Sequence, residues 1–216
     1  MSGPENRRPL ASRQTGWAAT VTRWLAGTAV TPNQISQAGM IAALLAGAAF
    51  WASGSVGGGA RVALLIAAGL LVQLRLLCNL FDGMVAIEAG RSAPDGGFWN
   101  EFPDRVSDLL ILMGAALAMG EPALGWAAAG MAFLTAYLRE LGVNCGAGAD
   151  FSGPMAKQHR MAVMTAAAGL SIFEPLAGWH GQVLTAALWL VAIGAAFTVL
   201  RRAVRLVRVL RAGRGG

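Results

Sequence analysis

Apolar residues gather along this chain in long blocks, separated by short breaks rich in Gly, Pro and charge. That is the pattern of membrane-crossing helices rather than of alternating strands. The blocks cover roughly residues 35–54, 62–88, 98–119, 122–142 and 182–200, with a further one over 156–173. A helix needs about 20 such residues to cross the hydrocarbon layer, so six spans are expected. Ahead of them, residues 14–27 set Trp17, Val21, Trp24 and Leu25 beside Arg23 at helical spacing. This predicts an amphipathic juxtamembrane helix lying at the membrane surface. Thr31 followed by Pro32 predicts a capped start for the first span. The connectors are too short for a separate soluble domain. The expected organisation is therefore an N-terminal segment with the interfacial helix (1–30), an all-α six-helix transmembrane bundle (31–200) and a basic tail (201–216).

Composition agrees: 56% of residues are hydrophobic and 13% charged, whereas a soluble domain carries about 25% charged residues. A net charge of +6 raises nucleic acid as a partner, but the positions of the basic residues argue against it. Arg7, Arg8, Arg13, Arg23, Arg91, Arg139, Lys157, Arg160 and the run Arg201, Arg202, Arg205, Arg208, Arg211 and Arg214 fall on one side of a six-span arrangement, with Arg61 almost alone on the other. By the positive-inside rule that side is cytoplasmic and holds both termini, and the tail is expected to rest on anionic lipid headgroups. No apolar core follows Arg7 and Arg8 closely, so a cleaved signal peptide is not expected. Cys78 and Cys145 stand alone and apart, which suits neither a disulfide framework nor a zinc site, and packing is the expected role of both.

Charge inside the spans is what needs a reason. Of the eleven acidic residues, six lie between 82 and 108. On the second span Arg75, Asn79, Asp82 and Ala86 share one helical face; on the third, Asn100, Asp104 and Asp108 share another. If the faces oppose each other, oxygen ligands of the kind hard cations prefer converge from two helices. The competing reading pairs Asp82, Asp104 and Asp108 with Arg75, Arg105 and Arg139 as structural ion pairs, and spacing leaves both open. Ionisable residues within spans are rare and usually functional. Lys157 and Arg160, with Arg139 and Tyr137, fall on the same side and suit a phosphate-bearing ligand, or else simple anchoring.

The stretch Asp82-Gly83-x-x-Ala86, then Gly96, then Asn100 and Asp104, resembles the motif of the CDP-alcohol phosphotransferases, D-x-x-D-G-x-x-A-R followed after a spacer by G-x-x-x-D-x-x-x-D. Thr31-Pro32-Asn33 is a second, looser likeness. The pattern departs at Asn79 and Asn100, which stand for aspartates, and at Ile87, which stands for the arginine. Glu101 and Asp108 are near enough in sequence to restore charge, and Arg75 or Arg91 to replace the arginine.

The resemblance implies transfer of a substituted phosphate, phosphatidyl from CDP-diacylglycerol, to an alcohol with release of CMP in phospholipid biosynthesis. It implies one or two divalent cations, Mg²⁺ or Mn²⁺, on Asn79, Asp82, Asn100, Asp104 and Asp108. Asp104 would be the general base, and Gly83, Ala86, Gly96, Glu101, Arg75, Arg139, Lys157 and Arg160 would bind substrate. A homodimer in the bacterial inner membrane, with its site near the cytoplasmic face, is expected. The alternatives are a carrier of cations or polar solutes, and a family member without catalysis.

Overall fold

The computed structural model describes residues 15–90 and 94–212; Arg91, Arg7, Arg8, Arg13 and Arg214 lie outside the described residues. Seven α-helices follow one another: α1 (Gly16–Ala26), α2 (Pro32–Ser53), α3 (Gly58–Glu88), α4 (Gly96–Ala118), α5 (Pro122–Asn144), α6 (Lys157–Ser171) and α7 (Gln182–Ala212). A 3₁₀ turn, Glu174–Ala177, joins the last two. Helices α2, α3 and α7 are by themselves long and apolar enough to cross a membrane. Helix α4 carries Glu101, Asp104, Arg105 and Asp108 in its first half. At 15 residues, α6 spans only about 22 Å.

Short connectors force consecutive helices of α2 to α7 to run antiparallel, so the ends of α3 and α5 and the starts of α2, α4 and α6 meet at one end of the bundle. Phe50, Leu65, Ile111, Leu112, Met161, Met164, Leu184 and Leu188 fill a common interior. Helix α1 lies outside it, seating Ala18 against Phe81 and Val85 with Val21 and Leu25 alongside. Trp24 stays exposed, and Trp17, half-exposed, sets its ring edge-on to Phe81 at 5.9 Å, as suits an amphipathic interfacial helix. The predicted cap of α2 is a complete capping box: Gln34 N–H donates to Thr31 Oγ1 at 3.2 Å, and Thr31 N–H to Gln34 Oε1 at 2.9 Å. Both cysteines are free; Cys78 is half-buried, but Cys145 is exposed, so packing does not account for it.

The far end of the bundle is tied by a residue that periodicity could not single out. Glu174, 2% exposed, accepts from Arg61 Nη2 at 2.6 Å, from Val183 N–H at 2.7 Å and from Gly181 N–H at 3.0 Å. One carboxylate thus joins the start of α3 to the start of α7. Burial pushes the Glu174 carboxyl up, but the Arg61 bond and the two backbone donors outweigh it, and its pKa falls below the usual glutamate value. A group whose folded pKa is depressed contributes stability that is complete above its unfolded pKa, about 4.3 for Glu, and is lost as pH falls through the folded value. Glu174→Gln is therefore expected to lower the unfolding midpoint in detergent at pH 7, by roughly 1–3 kcal/mol of stability. The gap to the parent protein closes as pH drops below about 4; an equal gap at both pH values would refute this.

Candidate active site

The site forms where the C-terminal third of α3 meets the first half of α4 and the start of α6. On α3, Arg75, Asn79 and Asp82 follow the 3.6-residue period and point the same way; on α4, Asp104 faces them. Asp104, 5% exposed, receives Arg75 Nη2 at 2.7 Å and the Asn79 amide at 3.0 Å on Oδ1. Its Oδ2 receives the Lys157 ammonium, with Arg105 further off at 3.9 Å. That same ammonium also donates to Asn79 Oδ1. Asp82 is buried as well, but among the described residues no cation bonds it: Ser36 Oγ of α2 donates to Oδ2 at 2.7 Å and Gly83 N–H to Oδ1 at 2.6 Å. Asp82 lies within electrostatic reach of both Asp104 and Lys157. The opposed faces expected from spacing therefore do meet, and the ion-pair reading is realised in the same place, with Arg75 on Asp104.

The other residues expected to join them have different partners. Asn100 is exposed and its amide donates to Glu101 at 3.2 Å. Glu101 is held by Arg105 and by Arg139 of α5, and Arg139 bonds Glu140 at 2.9 Å. With Phe98, Phe102 and Tyr137, Glu101 and Arg105 border a separate cleft of about 350 Å³ between α4 and α5. Asp108 is 1% exposed and pairs with Arg160 of α6. Arg160 also reaches Met155 C=O at 2.9 Å, so it is committed within the bundle rather than lining open space. Ala86 and Gly83 are half-buried on α3, and a Cβ at Gly96 would meet nothing, so that glycine leaves room beside the start of α4. The loose Thr31-Pro32-Asn33 likeness acquires a contact: Asn33 Nδ2 donates to both oxygens of Asp95, at 3.2 and 3.3 Å. The Trp99 indole and then Asn33 hold that carboxyl below its usual pKa.

Two participants were invisible in the sequence. Ser36 is the partner that lets Asp82 be buried without a counter-cation, and a lone serine in an apolar block carries no signal. Arg202 of α7 donates to Ser152 C=O at 2.9 Å and to Thr135 C=O, which fixes the loop ahead of Lys157; the basic run hid it among anchoring residues. Arg75 Nη1, Asp108 Oδ1 and Arg160 Nε are buried with no hydrogen-bond partner among the described residues.

Comparison with solved structures identifies the architecture. Mycobacterium tuberculosis phosphatidylinositol phosphate synthase with CDP-DAG bound superposes with a TM-score of 0.72 at 20% identity, covering 88% of this chain and 92% of that one. The chain has the fold of that synthase. The same enzyme in complex with manganese and citrate gives 0.72 at 20% identity over 88% of each chain, and its apo form 0.68. Among curated proteins, the archaetidylinositol phosphate synthase of Pyrococcus horikoshii is 31% identical over 97 residues, 45% of this chain and 46% of that protein. The match thus spans under half of that relative's length. No family model matches the chain. The resemblance read from Asp82, Gly83, Ala86, Gly96 and Asp104 is borne out at the level of the CDP-alcohol phosphotransferase family.

The manganese held by that synthase raises the question whether the donors here suit a divalent ion. Asn79 Oδ1 and Asp104 Oδ2, from different helices, converge on one positive centre, the Lys157 ammonium. Hard oxygens meeting on one cation are the donor chemistry of Mg²⁺ or Mn²⁺, and Asp82, held by Ser36 and Gly83 N–H, lies within electrostatic reach of them. The donors therefore fit a divalent ion, with one condition. Among the described residues no three Asp, Glu, His or Cys side chains gather at one point. Asp104 is already balanced by Arg75 and Lys157. A divalent ion about 4 Å from the ammonium would be repelled by roughly 8 kcal/mol at an effective dielectric of about 20. Lys157 and the ion cannot share those oxygens.

Proposed function

We propose that the chain is a membrane phosphotransferase that moves a substituted phosphate, phosphatidyl from CDP-diacylglycerol, onto an alcohol and releases CMP. The observation that supports this most is the meeting of Asn79 of α3 and Asp104 of α4 on one cationic point, with Asp82 buried a turn further along α3 within electrostatic reach of it, in the register of the family motif and within the fold of a lipid-handling synthase. Six spans, cytoplasmic termini, a homodimer in the bacterial inner membrane and a site near the cytoplasmic face belong to the same proposal. A buried site at the end of the bundle suits a donor whose acyl chains stay in lipid while its nucleotide reaches water.

The acceptor oxygen bonds to the phosphorus distal to cytidine, the bridging P–O bond to CMP breaks, and the acceptor proton passes to an Asp104 carboxylate oxygen. Asp82, Asn79 and Asp104 would hold a divalent cation, which neutralises charge developing on the leaving diphosphate oxygen. Arg75 stays on Asp104 and orients it, with Nη1 as a spare donor. Ser36 holds Asp82 in place. Gly83 and Gly96 let the nucleotide approach the backbone of α3 and α4 closely. Helices α3, α4 and α6 keep bulk water from the reacting atoms.

Purified protein in detergent is expected to release CMP from CDP-diacylglycerol when given the right alcohol with Mg²⁺ or Mn²⁺, and to bind CMP or CDP only with divalent cation. Nucleotide binding without turnover across a broad set of alcohols would point to a family member that has lost catalysis, as the Asn79 and Asn100 replacements allow. Cation flux with no nucleotide binding would remove the proposal in favour of a carrier.

A further inference from the structure

We infer that Lys157 is a tethered counter-cation that occupies the ion's oxygens in the resting protein and must leave them for divalent metal to bind; this rests on the transferase reading above. Four observations support it. The Lys157 ammonium bonds Asn79 Oδ1 and Asp104 Oδ2 at once, the two oxygens from separate helices that would otherwise face an ion. The motif's carboxylates at 79 and 100 are amides, so the resting cluster has too little negative charge to hold Arg75, Lys157 and a divalent ion together. Arg75 and Lys157 differ in freedom: the Arg75 side chain is 2% exposed and the Lys157 side chain 26%. Lys157 is also the first residue of α6, behind an uncapped N-terminus. A lysine on a four-carbon stem can swing toward the open side, whereas the buried guanidinium cannot.

Departure of Lys157 has two consequences together. It exposes the ligand oxygens, and it frees Asp104 Oδ2 to meet the acceptor hydroxyl. The displaced ammonium stays within a side chain's length of the site, where the donor's phosphates are its natural partner. Metal entry, base exposure and phosphate capture are thereby linked through one side chain. Ordinary structural lysines on a carboxylate do not have this property, because removing them leaves an unpaired charge and no competing ion to take it.

The test is a gain of affinity, which a merely damaged site would not show. Mn²⁺ binding is titrated by electron paramagnetic resonance on the full chain in detergent, without nucleotide, for the parent protein, Lys157→Met and Lys157→Gln. At least one of the two variants, folded by circular dichroism and monodisperse, is expected to bind Mn²⁺ at least tenfold more tightly than the parent. Adding Asn79→Ala to that variant should reverse the gain. Unchanged or weaker Mn²⁺ binding in both lysine variants, or no Mn²⁺ binding by any of the proteins, overturns the inference. Failure of the transferase reading shows separately, as absent CMP release with the Mn²⁺ pattern intact.

Discussion

Asp82→Asn and Asp104→Asn both lose CMP release, by roughly two to four orders of magnitude, and the two variants separate in their stability. Among the described residues Asp104 is the sole acceptor of Arg75 Nη2 and one of two acceptors of Lys157. Its amide leaves buried cations without a counter-charge, at a cost of about 3–5 kcal/mol. Among the described residues Asp82 has only Ser36 Oγ and Gly83 N–H as partners. An amide at 82 keeps one acceptor for them, so the loss is about 1 kcal/mol, and Asp82→Asn is the clean test of chemistry. Parallel measurement of CMP release and thermal unfolding in detergent checks both halves. Full turnover in a folded Asp82→Asn protein would remove the proposed role of that carboxylate.

Gly114→Val is expected to prevent stable assembly of the bundle. Helices α2 and α4 cross backbone to backbone, where a Cβ at Gly114 would stand 2.2 Å from Gly47 C=O and one at Gly47 would stand 2.4 Å from Leu110 C=O. Both obstacles are backbone, which cannot rotate away, so the helices must separate. Small residues at such crossings are what lets spans pack in lipid, and overpacking of this kind costs about 3 kcal/mol or more. The site suffers too, because α2 supplies Ser36 to Asp82 and α4 supplies Asp104. Gly130→Ala is the control: nothing lies near its Cβ, and alanine favours the helix by about 1 kcal/mol. Equal unfolding midpoints for Gly114→Val and Gly130→Ala would show that the close crossing is not needed.

Much of the fold was legible because its signals are local. Apolar blocks of the right length, the Thr31-Pro32 start and the Gly-rich breaks each act through residues close in sequence. All six blocks became helices, and α7 runs on through the basic run as far as Ala212. The meeting of Asp104 with the Arg75 and Asn79 face of α3 was legible for a related reason: helical period assigns residues to faces, and two polar faces in neighbouring apolar helices have few partners except each other.

Period does not say at what depth each position of a face meets another helix. Asn100, Asp104 and Asp108 share a face, yet Asn100 sits in the exposed opening of α4 beside Glu101, Asp104 meets α3, and Asp108 meets Arg160 of α6. What the residues alone determined is a membrane bundle with a two-helix carboxylate site of a known family pattern. Only the tertiary structure decided which oxygens converge and that Lys157 holds them, as it decided the partnership of Glu174 with Arg61 across the far end. Those contacts join residues 78, 53 and 113 positions apart, and such a pairing is set by where whole helices cross, a property no short stretch of sequence carries.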